Sequence, residues 1–241
     1  MKRYVSVFEM IARSSIYKVL LTIMGMVAIE AVLFYNTMTN PSGINFEEYI
    51  DQSYYSIVFR VAYTVITVWL ILPGMNIGST QSYTLQRLRI KESKIFWLQA
   101  LYNAVVYVLL WGTQLMTILG SVIVYQKNLS EGAVMSNQTV FLAFYRNAFM
   151  HSILPLEDGP GWYVLGFIVI TTALAAAEFT KLQRIGKFGF ELCVIAFTTW
   201  IVFPRELGSD IAFFTLVTVT TYLVMIGRWG SHRLDAGGET S

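Results

Sequence analysis

Two charged residues in the first two apolar runs, Glu30 and Arg60, are the first candidates for chemistry. Glu30 lies well inside the first run, about 20 Å along a helix of ordinary rise. Arg60 lies near the outer end of the second run, at a similar depth. A charge inside a membrane is costly and faces a partner or a cavity. The sequence therefore predicts a Glu30–Arg60 ion pair, which either braces the first two spans or lines a vestibule open to the outside.

A second candidate is the basic segment between the second and third runs, residues 81–94. Two of its leucines, Leu85 and Leu88, share one face of a short helix, and basic side chains surround the other face. Such a helix at the tip of two long spans is a surface that a soluble partner could grip. The alternative is that these charges only follow the positive-inside bias and touch lipid headgroups.

Motifs for catalysis are absent from the sequence. It has no GxxxxGK[ST] phosphate loop and no HExxH zinc motif. Its two histidines, His151 and His232, are predicted on opposite sides of the membrane, so they cannot jointly hold a metal or haem. The one cysteine, Cys193, cannot form an internal disulfide. We interpret the chain as non-catalytic, with no cofactor of its own.

The elements that position these residues follow from composition. Of the 241 residues, 55% are hydrophobic and only 13% are charged, and mean hydropathy is +0.55. Soluble domains carry about 25% charged residues and rarely expose large apolar patches. The sequence therefore predicts an all-α polytopic membrane protein.

Six apolar runs divide the chain, and each is close to the roughly 20 residues that cross a bilayer. They make a single transmembrane domain over residues 1–230, followed by a flexible cytoplasmic tail, 231–241. The predicted spans are 17–38, 56–77, 95–125, 161–179, 188–203 and 211–226.

Basic residues set the predicted orientation. With six crossings, 13 of the 17 Lys and Arg residues fall on the side of the two termini and 4 on the other side. Cytoplasmic loops carry the excess of basic residues, so both termini are predicted in the cytoplasm.

Two amphipathic segments flank the spans. Residues 2–15 are predicted as an interfacial helix leading into the first span, or alternatively as a cytoplasmic extension of that span. Residues 139–153 are predicted as one helix on the outer side, with apolar residues at steps of three and four. This helix lies either on the membrane surface or packed on the bundle.

Small residues mark places where helices can approach closely. Pro73 is expected to kink the second span, and Gly74 and Gly78 form a GxxxG spacing, for which packing within one subunit is favoured over a dimer seam. Ala173 and Ala175 to Ala177 are close-packing positions on the fourth span. Glu178 is expected to form a local ion pair with the basic residues that follow it, or to contact a cytoplasmic partner.

These features together resemble the type-2 ABC transporter permeases, including small bacterial permeases of peptide or bacteriocin export and immunity. The resemblance covers nearly the whole chain and rests on architecture: an amphipathic entry helix, six spans, and a basic loop after span two. It implies that this loop couples to a separate ATPase. The coupling positions would be Leu85, Gln86, Arg87, Leu88, Arg89 and Ile90. Unlike many members, this chain has a minimal connection between spans five and six and a long outer segment between spans three and four.

On this resemblance, the chain is the permease subunit that exports or extracts an amphipathic peptide or lipid-like substrate from the bacterial plasma membrane. Its partners would be a cytoplasmic ATPase carrying ATP and Mg, a second identical or homologous permease chain, and membrane lipid, with no nucleic acid. Two alternatives remain. One is a non-transporting anchor or sensor that docks a cytoplasmic partner, and the other is a secondary transporter.

Overall fold

A computed structural model describes residues 2–39, 45–75, 92–128, 137–156 and 159–184, together with Trp200, Phe203, Leu216 and Val219. Seven helices account for nearly all of the continuous ranges, and these ranges contain no strand. In chain order the helices are α1 (Lys2–Met38), α2 (Phe46–Gln52), α3 (Tyr55–Met75), α4 (Glu92–Asn128), α5 (Asn137–Arg146), α6 (Ala148–Ile153) and α7 (Gly159–Arg184).

Four of these helices are long and apolar enough to cross a membrane. The candidate spans are Phe8–Met38, Tyr55–Leu72, Ser93–Asn128 and Gly159–Gln183. They confirm the all-helical class and correspond to the first four predicted spans. The predicted spans 188–203 and 211–226 and the tail 231–241 lie outside the described residues, apart from the four single positions named above.

α1 is one continuous helix of 37 residues. The predicted interfacial helix at residues 2–15 is therefore not a separate element, and the alternative, an extension of the first span, matches the structure. The reason is local, since neither Gly nor Pro occurs between Lys2 and Met24 to end the helix. Hydroxyl side chains within the helix bond to its own carbonyls, as Thr22 Oγ1 does to the Lys18 oxygen at 2.8 Å.

The outward face of α1 is strongly apolar. Tyr17, Leu21 and Met24 are 77%, 73% and 70% exposed. Exposing this apolar face to water is unfavourable, whereas lipid tails solvate it. A helix also satisfies its own backbone hydrogen bonds in lipid. The structure is therefore that of a membrane-embedded, multi-pass helical protein.

The long helices form a four-cornered bundle. α1 and α7 occupy opposite corners, and each packs against both α3 and α4. Ser15, early in α1, hydrogen-bonds Tyr102, early in α4, at 2.9 Å. Tyr55 begins α3 but bonds Ser121, late in α4, at 2.6 Å. α1 and α4 therefore run in one direction, and α3 runs in the other.

α7 is antiparallel to α4. Asn103, early in α4, donates from Nδ2 to the carbonyl of Ala173, late in α7, at 3.2 Å. Trp111 and Trp162, farther along the bundle, bring their rings to 6.4 Å. One end of the bundle thus holds the start of α1, the end of α3, the start of α4 and the end of α7. We call this end the basic end and the opposite one the capped end.

Short helices close the capped end. Phe46 and Tyr49 of α2 are buried and place their rings 5.4 and 5.3 Å from that of Tyr125 in α4. The sequence analysis missed α2, although Phe46, Tyr49 and Ile50 have the three- and four-residue spacing of a buried helix face.

The predicted single helix over 139–153 is wrong, because the chain breaks at Asn147 into α5 and α6. Asn147 has an extended backbone, and its Oδ1 accepts from the Met150 amide at 2.9 Å, so it caps α6. Its Nδ2 donates to Asp51 Oδ1 at 2.8 Å. Phe149 to Ile153 are all buried, so α6 packs into the bundle and does not lie on a membrane surface.

Candidate functional site

The predicted Glu30–Arg60 ion pair is wrong. Both residues lie in spans as expected, but no hydrogen bond or ion pair joins these two described side chains. α3 turns Ile57, Val61 and Val65 towards α1. Arg60 comes one residue before Val61 and therefore projects about 100° away from that face. The prediction compared only the depths of Glu30 and Arg60, whereas the direction in which each side chain leaves its helix decides its partner.

Arg60 is held on the other side of α3. Its Nε donates to the Ser56 carbonyl at 3.0 Å, and its Nη1 donates to the Trp200 carbonyl at 3.3 Å. The guanidinium carbon lies 5.0 Å from the centre of the Trp200 ring, a cation–π contact. Trp200 Nε1 in turn donates to Thr64 Oγ1 at 3.2 Å. The partly exposed charge is thus satisfied without entering the bundle core.

Glu30 is fully buried and has a different neighbour, Gln114 of α4. Both side chains have a relative exposure of 0%. The Gln114 carboxamide lies beside the Glu30 carboxyl. However, the two groups do not form a hydrogen bond of good geometry, and all four of their polar atoms lack a hydrogen-bond partner. Sequence reasoning found Glu30 and missed Gln114.

Near these groups, a hydroxyl pair joins α3 to α4. The Tyr55 hydroxyl lies 2.6 Å from Ser121 Oγ. Ser121 Oγ also donates to the Thr117 carbonyl at 2.9 Å. A hydroxyl has one hydrogen, so Tyr55 is the donor in the pair and Ser121 the acceptor.

Two further tyrosines fill the middle of the bundle. Tyr63 of α3 and Tyr107 of α4 stack with ring centres 4.8 Å apart and planes at 17°. The Tyr63 hydroxyl donates to Thr172 Oγ1 at 3.0 Å, and the Tyr107 hydroxyl lies 2.9 Å from Thr67 Oγ1. These contacts lie where α3 and α4 face each other across the bundle axis. We call Tyr55, Tyr63, Thr67, Tyr107 and Ser121 the central seam.

α4 supplies a buried polar stripe along its inward face. Gln99, Asn103, Tyr107, Gln114 and Ser121 are all buried. They follow one another at steps of four and seven residues, which return to the same side of a helix. This spacing could have been read from the sequence and would have pointed to Gln114.

An apolar groove of about 340 Å³ lies between α1 and α3. On the α1 side it is lined by Thr22, Gly25, Met26 and Ile29. An added Cβ at Gly25 would meet no atom within 4 Å, which shows that this part of α1 is not closely packed. The groove is adjacent to Glu30 in sequence, but Glu30 is not among its lining residues.

At the basic end, Glu178 and Lys181 form an ion pair with 3.6 Å between Oε1 and Nζ. Their side chains are 3% and 9% exposed. This confirms the local ion pair expected for Glu178. The close-packing role of the alanines is also confirmed, since Ala173, Ala175, Ala176 and Ala177 are all buried.

The six predicted coupling positions, Leu85 to Ile90, lie outside the described residues, and so does Gly78. Pro73 and Gly74 lie in the last turns of α3, which continues to Met75. The structure therefore describes the two helices that flank the basic segment, but not the segment itself.

Comparison with known proteins gives no relative. No protein-family model, no curated protein and no solved structure matches the chain.

Proposed function

We propose that this chain is the membrane-spanning permease subunit of an ATP-driven transporter of the ABC type. One observation carries the proposal: the basic connection between α3 and α4 joins two spans at the basic end of the bundle. α3 ends at Met75 and α4 begins at Glu92, beside the start of α1 and the end of α7. A partner that grips residues 76–91 would therefore act directly on the two helices that form the central seam.

Charge at the two ends supports a cytoplasmic basic end. Among the described residues, Arg13, Lys18, Lys94, Lys181 and Arg184 lie towards the basic end. Arg60, Lys127 and Arg146 lie towards the capped end. This asymmetry agrees with the positive-inside bias, so both termini would be cytoplasmic in the six-span arrangement.

Helix length supports a mechanical link to a soluble partner. α1 and α4 have 37 residues each, which is about 55 Å of helix, compared with about 30 Å of hydrocarbon core. A rigid helix of this length carries a displacement from its cytoplasmic end into the membrane. The proposed switch is a rigid-body tilt of α3 and α4 driven by closure of the ATPase.

The cargo that we propose is an amphipathic peptide or lipid-like molecule, exported or extracted by a pair of permease chains in a bacterial plasma membrane. The apolar groove between α1 and α3 suits an acyl chain or an apolar side chain. The proposed lining would combine this groove with surfaces of the second chain.

The proposal is tested by co-purifying the full chain in detergent with the candidate ATPase and measuring ATP hydrolysis. Arg87→Glu and Leu88→Asp should each weaken binding and lower the ATPase rate that the permease supports by tenfold or more. Lys127→Glu makes the same charge change as Arg87→Glu on an exposed residue at the capped end, and it should leave both unchanged.

Binding and hydrolysis that survive in both loop variants would remove the coupling proposal. Binding that depends on the loop but never alters ATP hydrolysis would favour the docking anchor. Cargo movement by the chain alone in liposomes would favour the secondary transporter.

A further inference from the structure

Four polar atoms meet in the bundle with no hydrogen-bond partner. They are the two carboxyl oxygens of Glu30 and the amide oxygen and nitrogen of Gln114, and all are buried. A buried polar atom left without a partner destabilises the folded protein, and an ionised one does so more strongly. Leaving all four atoms without hydrogen bonds would therefore destabilise the bundle, so we expect a further atom or ion to bond them.

Among the residues that the structure describes, no positive charge completes the site. The nearest basic residue on the adjoining helix, Arg60, binds the Ser56 and Trp200 carbonyls on the other side of α3. α4 has no ionisable side chain between Tyr107 and Tyr125. α1 has no basic residue after Lys18. An ionised Glu30 would thus be a buried carboxylate without a counter-charge.

The neighbouring hydroxyls cannot supply the missing hydrogen. Ser121 donates its hydrogen to the Thr117 carbonyl, and Tyr55 donates its hydrogen to Ser121. Of the side chains in the described ranges, only the Gln114 amide remains beside Glu30 as a donor. With an ionised Glu30, the amide nitrogen could donate one bond, but the amide oxygen would face a negative charge.

We propose that Glu30 is an intramembrane proton-binding site and that the protonated carboxyl pairs with the Gln114 carboxamide. The carboxyl O–H donates to the amide oxygen, and the amide N–H donates to the carboxyl carbonyl. This cyclic pair satisfies the four orphaned atoms with two hydrogen bonds. It ties α1 to α4, and loss of the proton breaks one of the two bonds and places a charge in the bundle.

A metal cation fits the site less well than a proton. Hard cations take six or more oxygen ligands, whereas Glu30 and Gln114 together offer three oxygens. Within the described ranges, no three His, Cys, Asp or Glu side chains are grouped as a metal site would need. A proton needs only the one acceptor that Gln114 presents.

The described helices that adjoin the site carry few other titratable groups. α3 contributes the Tyr55 phenol and, facing away, Arg60. α2, at the capped end, carries Glu47, Glu48 and Asp51. Glu47 approaches Arg146 at 3.8 Å, and Asp51 accepts from Asn147, so both have partners of their own. Protonation at the site is therefore assigned to Glu30.

The test is infrared spectroscopy of the full chain in lipid nanodiscs, because a protonated carboxyl has a carbonyl band that a carboxylate lacks. The wild-type protein should show this band at neutral pH, and the band should fade as pH rises. Glu30→Gln should remove it. Glu48→Gln, which changes an exposed glutamate on α2, should leave it unchanged.

Gln114→Asn shortens the amide and breaks the pair, so the band should move to the higher frequency of a carboxyl without a hydrogen bond. Glu30→Gln should keep the thermal stability of the wild type, because two facing amides form the same two bonds. A spectrum without a Glu30-dependent band at neutral pH would overturn the proton site. A band that Gln114→Asn does not move would overturn the pairing. Both outcomes are independent of any ATPase partner.

Discussion

At the scale of residues, most polar groups inside this bundle satisfy one another across helices. The Tyr63 hydroxyl bonds Thr172, and the Tyr107 hydroxyl lies within hydrogen-bond distance of Thr67. Single atoms such as Ser56 Oγ and Asn103 Oδ1 depart from this rule, whereas Glu30 and Gln114 depart from it together, with all four of their polar atoms lacking a partner. An unpartnered polar side chain inside a membrane is energetically unfavourable and is usually functional. We therefore expect a function at Glu30 and Gln114.

The Tyr55–Ser121 pair predicts an asymmetric mutational result. Tyr55→Phe removes the donor but leaves Ser121 bonded to the Thr117 carbonyl, so it should lower the free energy of unfolding by about 1 kcal/mol. Ser121→Ala leaves the buried Tyr55 hydroxyl without an acceptor and should cost more, about 1–3 kcal/mol. Unfolding in detergent, followed by circular dichroism, measures both.

Tyr54→Phe is the matched control, because Tyr54 is 59% exposed and adjacent in the chain. It should change stability by less than about 0.5 kcal/mol. If Tyr55→Phe were the more damaging of the two seam variants, the assigned direction of the hydrogen bond would be reversed.

Sequence reasoning could place Glu30 and Arg60 in spans at comparable depth, since depth follows from residue count. It could not pair them, because the partner depends on which way a helix is turned. Arg60 faces Trp200, which is 140 residues away in the chain. The spacing of the polar stripe on α4 points to Gln114, but its position beside Glu30 depends on how the helices pack.

At the scale of elements, the spans follow from hydropathy and from the absence of helix breakers. α1 runs unbroken through its amphipathic first turns. α7 begins at Gly159, followed by Pro160, and the N–H that proline lacks has no partner in the first turn of a helix. Asn147 breaks the outer helix although the apolar spacing continues across it. Its side chain has three partners, the Met150 amide, the Glu47 carbonyl and Asp51. Two of these partners are distant in sequence and could not be predicted.

The small residues of α7 predict a second contrast. Ala175 is fully buried, so Ala175→Leu would overpack the helix interface and should lower the free energy of unfolding by about 1–3 kcal/mol. An added Cβ at Gly166 meets nothing within 4 Å. Gly166→Ala on the same helix should therefore cost nothing, and helix propensity could add up to about 1 kcal/mol.

Thermal unfolding of both variants in detergent checks the contrast. Equal stability of Ala175→Leu and the wild type would mean that α7 does not use its alanines for close packing. A loss of stability in Gly166→Ala would mean that another surface covers Gly166.

At the scale of the whole molecule, the bundle has two unlike ends. The capped end is closed by α2, α5 and α6, and much of it is aromatic. The basic end gathers the start of α1, the end of α3, the start of α4 and the end of α7. Hydropathy alone predicts these four spans, whereas their arrangement, with α1 and α7 at opposite corners, depends on contacts such as Ser15–Tyr102.

The central claim is that the basic end faces the cytoplasm and presents the connection between α3 and α4 to a soluble partner. Single-cysteine labelling with a membrane-impermeant reagent on sealed cells tests it, in a Cys193→Ser background. Lys127→Cys, at the capped end of α4, should be labelled from outside. Arg89→Cys and Arg184→Cys should be labelled only after the cells are opened. Labelling of position 89 from outside, or of positions 89 and 184 from opposite faces, would contradict the account.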